Sequence, residues 1–255
     1  MTLTLNLPSD KKVYFASDFH LGTPNASASL AREKALVKWL DMASRDAEAI
    51  FLLGDIFDFW FEYKKAIPKG FVRFQGKLAE LADRGLSIHF FTGNHDMWMF
   101  DYFPSEFGIP VHNGPLELEI NQIKFLVGHG DGLGPGDKQY KRLKKIFKNR
   151  VSQKAFSILH PNFGMGIAHK WSRKSRLAST GHQEVFHGEN EHLLVYCKEQ
   201  ELIAHRDYYI FGHRHLTLDL EVANNSRYLN PGDWVNHTNY IVFDGTTCEL
   251  LEFKV

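Results

Sequence analysis

Five short apolar runs, each followed at once by polar residues, stand out along this chain. The runs are rich in β-branched and aromatic residues, and their length predicts buried strands rather than helices. They cover residues 13–16, 50–53, 88–91, 125–127 and 208–211. Segments with helical periodicity lie between several of them, at residues 26–43, 71–83 and 189–204. Strands that alternate with helices in this way are typical of a layered α/β fold.

The polar residues after the runs include Asp, Asn and His in an arrangement that indicates a two-metal hydrolytic site. The carboxyl ends of neighbouring strands meet at one edge of a sheet, which is where α/β proteins usually hold ligands. Side chains that are distant in sequence are therefore expected to meet there. In chain order the clusters are Asp18-x-His20, Gly54-Asp55, Gly93-Asn94-His95-Asp96, Gly128-His129-Gly130-Asp131 and Gly212-His213-Arg214-His215.

We expect seven of these residues to be metal ligands, and we call them the ligand cluster. They offer three oxygen donors and four imidazole rings, a mixture that suits first-row divalent ions and does not suit calcium. Mn²⁺ is the leading candidate for both ions, with Fe²⁺, Co²⁺ or Zn²⁺ as alternatives. The ligand cluster consists of Asp18, His20, Asp55, Asn94, His129, His213 and His215.

The ligand cluster is expected to divide between two ions about 3.5–4 Å apart. Asp55 bridges the ions in this hypothesis, because each oxygen of its carboxylate can serve one metal. Two ions lower the pKa of a bridging water, which can then attack phosphorus without a protein nucleophile. The first ion would be held by Asp18, His20 and His215, and the second by Asn94, His129 and His213.

Residues beside the ligand cluster are candidates for supporting roles. His95 follows Asn94 directly, and we expect it to donate a proton to the leaving oxygen or to hold a phosphoryl oxygen. Together with Asp55 it is the expected catalytic pair. Carboxylates next to metal-bound histidines often accept a hydrogen bond from the far ring nitrogen, and we expect this of Asp58, Asp96 and Asp131.

Each polar cluster taken alone has an ordinary explanation, because Asp and Gly favour turns. The occurrence of all five in one order, each after its own strand, favours the metal site. This argument does not apply to the histidines outside the polar clusters. His89 lies inside a run, and we expect it to be a hydrogen-bonded residue of the sheet.

The ordered set D-x-H, G-D, G-N-H-D, G-H-G-D and G-H-R-H resembles the calcineurin-like metallophosphoesterases over residues 13–215. The resemblance implies an α/β (α+β) fold, namely a four-layer αββα sandwich in which two mixed sheets pack face to face with helices outside. It also implies the division of ligands given above. It would place the later strand candidates, at residues 217–222, 227–230, 240–243 and 248–253, in the second sheet.

The stretch after His129 is similar to one family within that superfamily, the UDP-2,3-diacylglucosamine hydrolases of lipid A synthesis. It contains G-D-G-L-G-P-G-D ending at Asp137, then Tyr140, then a basic and apolar segment that continues to Ser175. The resemblance implies cleavage of a pyrophosphate to UMP and 2,3-diacylglucosamine 1-phosphate. It implies substrate contacts by Asn94, His95, Asp137, Ser175 and His213.

A basic segment in the middle of the chain predicts an inserted cap. Residues 138–183 contain 12 Lys or Arg and no Asp or Glu, although the whole chain has 30 of each sign. Apolar residues recur between these charges at helical spacing, which is typical of an amphipathic helix. We expect residues 133–186 to form a helical cap on a core made of residues 1–132 and 187–255. Such a surface suits an acylated UDP-sugar and an anionic membrane, and we expect neither nucleic acid nor an obligate protein partner.

The amino end lacks the charged start and apolar run of a secretion signal, and no stretch has the length of a spanning helix. We therefore expect a cytoplasmic protein that associates peripherally with the inner membrane. Two alternatives stay open. One is a soluble metallophosphoesterase acting on nucleotides, phosphomonoesters, phosphodiesters or nucleic acid, favoured because the lipid enzymes usually have Arg at the position of His95. The other is a non-catalytic protein-binding scaffold on the same fold, disfavoured because all seven ligand residues are present.

Overall fold

The computed structural model describes residues 2–136, 138–167 and 185–254. The strands are β1 (Thr2–Leu5), β2 (Lys12–Ala16), β3 (Ala47–Leu52), β4 (Ser87–Phe91), β5 (Val111–His112), β6 (Leu116–Ile120), β7 (Ile123–Gly128), β8 (Tyr208–Phe211), β9 (Thr217–Ala223), β10 (Ser226–Pro231), β11 (Asn239–Phe243) and β12 (Cys248–Glu252). The α-helices that lie wholly within the described residues are α1 (Ala26–Ala43), α2 (Val72–Asp83), α3 (Tyr102–Phe107), α4 (Lys138–Phe147), α5 (Arg150–Ile158) and α6 (His192–Glu201).

The strands form two mixed sheets of six strands each. Sheet I has the order β1-β6-β7-β8-β10-β9, and sheet II has the order β12-β11-β2-β3-β4-β5. In sheet II the strands β2, β3, β4 and β5 are parallel, whereas β11 runs antiparallel to β2. In sheet I the strands β7, β8 and β10 are parallel neighbours.

Three apolar cores define four layers. The inner core lies between the sheets, since Phe15 and Phe51 of sheet II pack with Phe125 and Ile210 of sheet I. The opposite face of sheet II packs against α1, α2 and α3, and the opposite face of sheet I packs against α6, with Leu193 at that contact. This arrangement confirms the expected αββα sandwich.

The sheets draw their strands from both halves of the chain, which corrects two expectations. Of the five strands that precede polar clusters, β2, β3 and β4 lie in sheet II, whereas β7 and β8 lie in sheet I. The later strands do not form a sheet of their own, because β9 and β10 extend sheet I while β11 and β12 extend sheet II. The candidate site is therefore built where two sheets meet, and not at the edge of one.

Most predicted elements occur close to the expected residues. Helix α1 begins after Asn25, whose side chain caps it by accepting a hydrogen bond from the backbone N–H of Ala28. Helix α6 is shorter than expected at both ends, and a 3₁₀ turn at Gly188–Asn190 precedes it. His89 lies in β4 and hydrogen-bonds to Ser87 and His112, as predicted. None of the helices in the described ranges is both long and apolar enough to cross a membrane.

Candidate metal centre

The first half of the candidate site follows β2 and β8. The Nε2 atoms of His20 and His215 face each other at 3.1 Å. Asp18 Oδ1 lies 3.3 Å from His215 Nε2 and 3.7 Å from His20 Nε2. The other carboxylate oxygen of Asp18 accepts hydrogen bonds from the Ser17 hydroxyl and the backbone N–H of His213. Oδ2 of Asp18 is thus held by hydrogen bonds within the protein, whereas Oδ1 points toward the imidazole rings of His20 and His215.

Asp55 lies between the two halves of the site. Its Oδ2 atom is 3.7 Å from His20 Nε2 and 3.5 Å from His129 Nε2. Its Oδ1 atom accepts a hydrogen bond of 2.8 Å from the backbone N–H of His95. We expected each oxygen to serve one ion, but only Oδ2 faces both histidines. A shared ligand here would be a single oxygen atom.

The second half of the candidate site follows β4 and β7. Asn94 Oδ1 is 3.2 Å from His129 Nε2, and the rings of His129 and His213 meet edge to face at 5.2 Å between centroids. The Nδ1 atom of His129 is 2.9 Å from the backbone carbonyl oxygen of Leu53. Because a carbonyl oxygen only accepts, Nδ1 carries the proton and Nε2 points toward Asn94 and Asp55. All seven members of the ligand cluster therefore meet in one place.

His95 lies against the ligand cluster. Its ring meets that of His20 edge to face at 4.9 Å, and ligand atoms of His20, Asp55 and His95 lie within 4.8 Å of one another. Its Nδ1 atom is 3.1 Å from the backbone carbonyl oxygen of Asp58, which assigns the proton to Nδ1. The Asp58 carboxylate is 3.8 Å from the same nitrogen. The ring is thus oriented by the loop after β3.

Burial and neighbouring charges set the protonation states of the candidate ligands. Burial lowers the pKa of His20 and of His213 to about 4, so both rings are neutral at pH 7. Burial opposes the charged form of Asp55 as well, but His129 outweighs it and holds the pKa of that carboxyl far below its usual range. At His129 the same pairing overcomes burial and raises the pKa to about 10. A cation bound here would have to replace that proton.

The residues present fit a pair of divalent ions. Asp18 Oδ1 is buried and accepts no hydrogen bond from any residue in the described ranges. Two imidazole nitrogens and a bare carboxylate oxygen that face one another within about 4 Å are costly unless a shared cation satisfies them. Groups of three such side chains, Asp18 with His20 and His215 and Asp18 with Asp55 and His129, each place their ligand atoms within 4.8 Å.

Asp96 and Asp131 have other roles than expected, and the third supporting carboxylate, Asp58, lies beside His95, which is not a member of the ligand cluster. The Asp96 side chain accepts backbone N–H groups of Gly93 and Ile56, at 2.8 and 2.7 Å. A short carboxylate two residues after Asn94 turns back onto nearby N–H groups more readily than it reaches a ring. Burial, reinforced by the Asp55 charge, raises the pKa of Asp96 to about 7. It stabilises the turns that carry the ligands, so the prediction that it orients a histidine was wrong.

Asp131 connects the site to the inserted helices. Its carboxylate accepts the Tyr140 hydroxyl and pairs with the Lys144 ammonium at 2.6 Å, and the Lys144 ammonium also donates to its carbonyl oxygen at 2.7 Å. The indole N–H of Trp98 donates to the carbonyl oxygen of Phe147 at 2.9 Å. These contacts with α4 replace the expected hydrogen bond from a histidine ring N–H to Asp131. Asp137 and Ser175, which were expected to contact the substrate headgroup, lie outside the described residues.

Two glycines are essential to the geometry, and from the sequence they were recognised only as the first residues of polar clusters, without a role of their own. A methyl group at Gly93 would collide with Asp55 Oδ1, and one at Gly212 would lie 2.5 Å from Asp18 Oδ2. The signal was present, because both glycines stand directly before polar clusters. Only glycine lets the backbone approach the carboxylates this closely.

Comparison with known proteins gives a consistent result. A family model described as calcineurin-like phosphoesterase matches residues 11–216, a range that contains all five polar clusters. A UDP-2,3-diacylglucosamine hydrolase of Porphyromonas gingivalis is 39% identical over 252 residues, which cover 94% of this chain and 96% of that protein. A protein of the same name from Proteus mirabilis is 27% identical, with 94% and 98% covered. One from Neisseria meningitidis is 30% identical, with 66% and 68% covered.

Proposed function

Because the chain belongs to the calcineurin-like phosphoesterase family and is a metal-dependent hydrolase, we propose that it hydrolyses the pyrophosphate of UDP-2,3-diacylglucosamine. The products are UMP and 2,3-diacylglucosamine 1-phosphate, and the reaction belongs to lipid A synthesis. The observation that carries this proposal is the 39% identity, over 94% of the chain, to a protein of that activity. The convergence of the ligand cluster supports the reaction class.

The ligand cluster divides into two sets in this proposal. Asp18, His20 and His215 would hold one ion and Asn94, His129 and His213 the other, with Asp55, whose Oδ2 faces both halves of the site, serving both. Two divalent ions bound there, with Mn²⁺ preferred, would supply an activated water and positive charge near the phosphoryl oxygens. Ser17 and the His213 N–H fix the Asp18 carboxylate, and the His95 N–H fixes that of Asp55.

His95 serves the reaction without being a required ligand. The Asp58 carbonyl oxygen accepts a hydrogen bond from the Nδ1–H of His95, so the ring presents Nε2 to the site. When Nε2 is protonated, it can donate to a phosphoryl oxygen or to the leaving UMP or sugar-phosphate oxygen. The loop geometry that orients the ring is present before substrate arrives. Asn94 and His213, together with Asp137 and Ser175, complete the proposed substrate contacts.

The cap, residues 133–186, covers the acyl chains in this proposal. Aromatic side chains of α4 and α5 pack on the core beside the site, where Phe147 and Phe156 contact Trp98 at 5.5 and 4.7 Å between ring centroids. The core comprises residues 1–132 and 187–255. An apolar surface of this kind, next to charged phosphate-binding groups, suits a substrate with both acyl tails and phosphates.

The outer surface of α4 and α5 is the proposed membrane contact. Val151 and Ile158 are 76% and 79% exposed, and Ile146 is 56% exposed. Exposed basic residues lie among them, including Arg142, Lys145, Arg150 and Lys154. Apolar residues interleaved with Lys and Arg favour the interface of an anionic bilayer. We propose that the protein is cytoplasmic and binds the inner membrane through this surface.

The membrane proposal is tested by vesicle binding at low salt. Val151→Glu with Ile158→Glu should weaken binding to phosphatidylglycerol vesicles, because each buried apolar group and each basic neighbour contributes to affinity. Leu202→Glu is the matched control, since Leu202 is 90% exposed but lies at the end of α6. Lys144 and Lys148 are unsuitable for this test, because they contact Asp131 and Asn113. Equal binding by the double variant and wild type would contradict the membrane contact.

The substrate is tested by hydrolysis in mixed micelles with Mn²⁺. UDP-2,3-diacylglucosamine, its deacylated analogue and a nitrophenyl phosphodiester are compared, and UMP release is followed. We expect the acylated substrate to be strongly preferred, because binding energy from the acyl chains is used in the transition state. Turnover of the soluble esters alone would contradict the lipid substrate and support a soluble phosphoesterase, the alternative that His95 favours. Absence of turnover with every substrate would support the non-catalytic scaffold.

A further inference from the structure

Arg32, in the middle of α1, is bound to the turn that carries Asp18 and His20. Its side chain is almost fully buried, at 7% exposure. Its Nη1 atom donates to the carbonyl oxygens of Phe19 and Thr23, at 3.0 and 3.1 Å, and to that of His20 itself at 2.8 Å. The guanidinium thus binds three carbonyl oxygens of the turn that carries Asp18 and His20.

The same guanidinium reaches a second segment of the site. Its Nε atom donates to the carbonyl oxygen of Trp234 at 3.0 Å, and the backbone N–H of Trp234 donates to the carbonyl oxygen of Asp18 at 3.0 Å. The Trp234 ring packs on Phe19 at 5.0 Å between centroids. Arg32 therefore joins the turn after β2 to the loop after β10.

The turn needs such support because its backbone is strained. Asp18 and His20 have φ of 57° and 44°, in the left-handed region that residues other than glycine seldom adopt. A conformation of this kind persists only where the surroundings over-determine it. Three neighbouring carbonyl oxygens held by one rigid, planar cation provide that constraint, and the point charge of a lysine cannot reproduce the fork.

These hydrogen bonds of Arg32 hold the half of the centre that carries Asp18 and His20. The turns that carry Asp55 and Asn94 are held by the Asp96 carboxylate. The hydrogen bonds that Arg32 donates to the carbonyl oxygens of Phe19, His20, Thr23 and Trp234 hold the turn after β2 and the loop after β10. We propose that Arg32 is a positioning residue for the ion of Asp18, His20 and His215, an inference that rests on the proposed two-ion centre.

The experiment measures metal binding directly, without substrate. Metal-free wild type, Arg32→Lys and Arg206→Lys are titrated with Mn²⁺ and followed by calorimetry and electron paramagnetic resonance. Arg206 is the matched control, because it is 8% exposed and also donates to two backbone carbonyl oxygens, those of Gln200 and Ala204, away from the ligand cluster. Thermal unfolding of each protein reports its general stability.

We expect Arg32→Lys to lower the affinity for one of the two Mn²⁺ ions by about 10- to 100-fold, which is the usual effect of losing a partner that orients metal ligands. The paramagnetic resonance spectrum of a coupled Mn²⁺ pair should be replaced by that of an isolated ion. The affinity for the other ion should equal that of wild type. Arg206→Lys should unfold at a lower temperature and still bind two ions with wild-type affinity.

Three results would overturn the proposal. The first is wild-type binding of both ions by Arg32→Lys, and the second is an equal weakening of both. The third is failure of both Arg32→Lys and Arg32→Gln to fold, which would make Arg32 a residue of the core alone. If wild type binds a single ion, the two-ion function is contradicted instead, and Arg32 is still judged by whether its replacement weakens that ion.

Discussion

Five members of the ligand cluster, Asp18, His20, Asp55, His213 and His215, have positive φ between 44° and 70°. Such a conformation costs about 1–3 kcal/mol at each residue other than glycine. These positive φ values direct five side chains toward one point as each chain segment leaves its strand. Ordinary turn geometry would direct several of them elsewhere. Backbone strain is therefore part of how the site is made.

Replacing Gly93 by alanine should disable the site. The new methyl group would collide with the Asp55 carboxylate, and a displacement of about 1 Å at a reacting centre can cost about 10²-fold in rate. Metal content and kcat/KM should both fall in Gly93→Ala. Gly114→Ala is the control, since a methyl group there would meet no atom within 4 Å. Wild-type metal content in Gly93→Ala would show that the loop relaxes around Asp55.

Replacing His95 by alanine should separate proton transfer from metal binding. We expect turnover to fall by about 10²–10⁴-fold, the typical contribution of a positioned acid or base, while both ions remain bound. Steady-state kinetics and metal analysis of the same preparation check both statements. Unchanged turnover of His95→Ala on every substrate tried would contradict a catalytic role for this residue.

At the level of elements, α2 offers a stabilising substitution away from the site. Gly76 is an exposed residue within this helix, and a methyl group there would meet no atom within 4 Å. Gly76→Ala should raise the free energy of unfolding by about 0.5–1 kcal/mol, because glycine loses more backbone freedom than alanine when a helix forms. Denaturant titration measures the change. A lower free energy of unfolding would contradict the assignment of an unstrained helical position.

Strand positions were readable from the sequence, but sheet membership was not. Apolar periodicity identifies a buried strand without naming its partner, so β9 and β10 could not be assigned to sheet I. Two missed strands carried a clear signal: β6 reads Leu-Glu-Leu-Glu-Ile and β1 reads Thr-Leu-Thr-Leu, the alternation of half-buried strands. Strand β5 has two residues, too few for any pattern.

The ligand cluster was predictable because each member follows an apolar strand in a short polar motif. The residues that hold these ligands were harder to find. Arg32 stands within a helix, where an arginine is usually solvated, and its burial depends on the carbonyl oxygens of a nearby turn and on that of Trp234, 202 residues away in sequence. Asp96 was noticed, but its role depends on which N–H groups the folded turns present. Support of this kind arises only in the tertiary structure.

For the molecule as a whole, removal of metal should lower stability. Asp18 and Asp55 are buried at 0% and 1% exposure, and a cation shared among them and the histidines stabilises only the folded state. Free Mn²⁺ at 100 times its dissociation constant should add about 2.7 kcal/mol for each ion bound. Thermal unfolding with Mn²⁺ and with a chelator measures this difference. Asp55→Ala should show little response, and an unchanged melting temperature in chelated wild type would contradict metal binding by the folded protein.

The pairing of β2 with β11 has a consequence for how the protein is made. Strand β2, near the amino end, lies between β3 and β11, so sheet II is incomplete until Asn239–Phe243 has been synthesised. The segment with Asp18 and His20 therefore lacks one neighbouring strand until a part of the chain more than two hundred residues later has been made. The first half of the centre can therefore take its final geometry only after β11 has been synthesised.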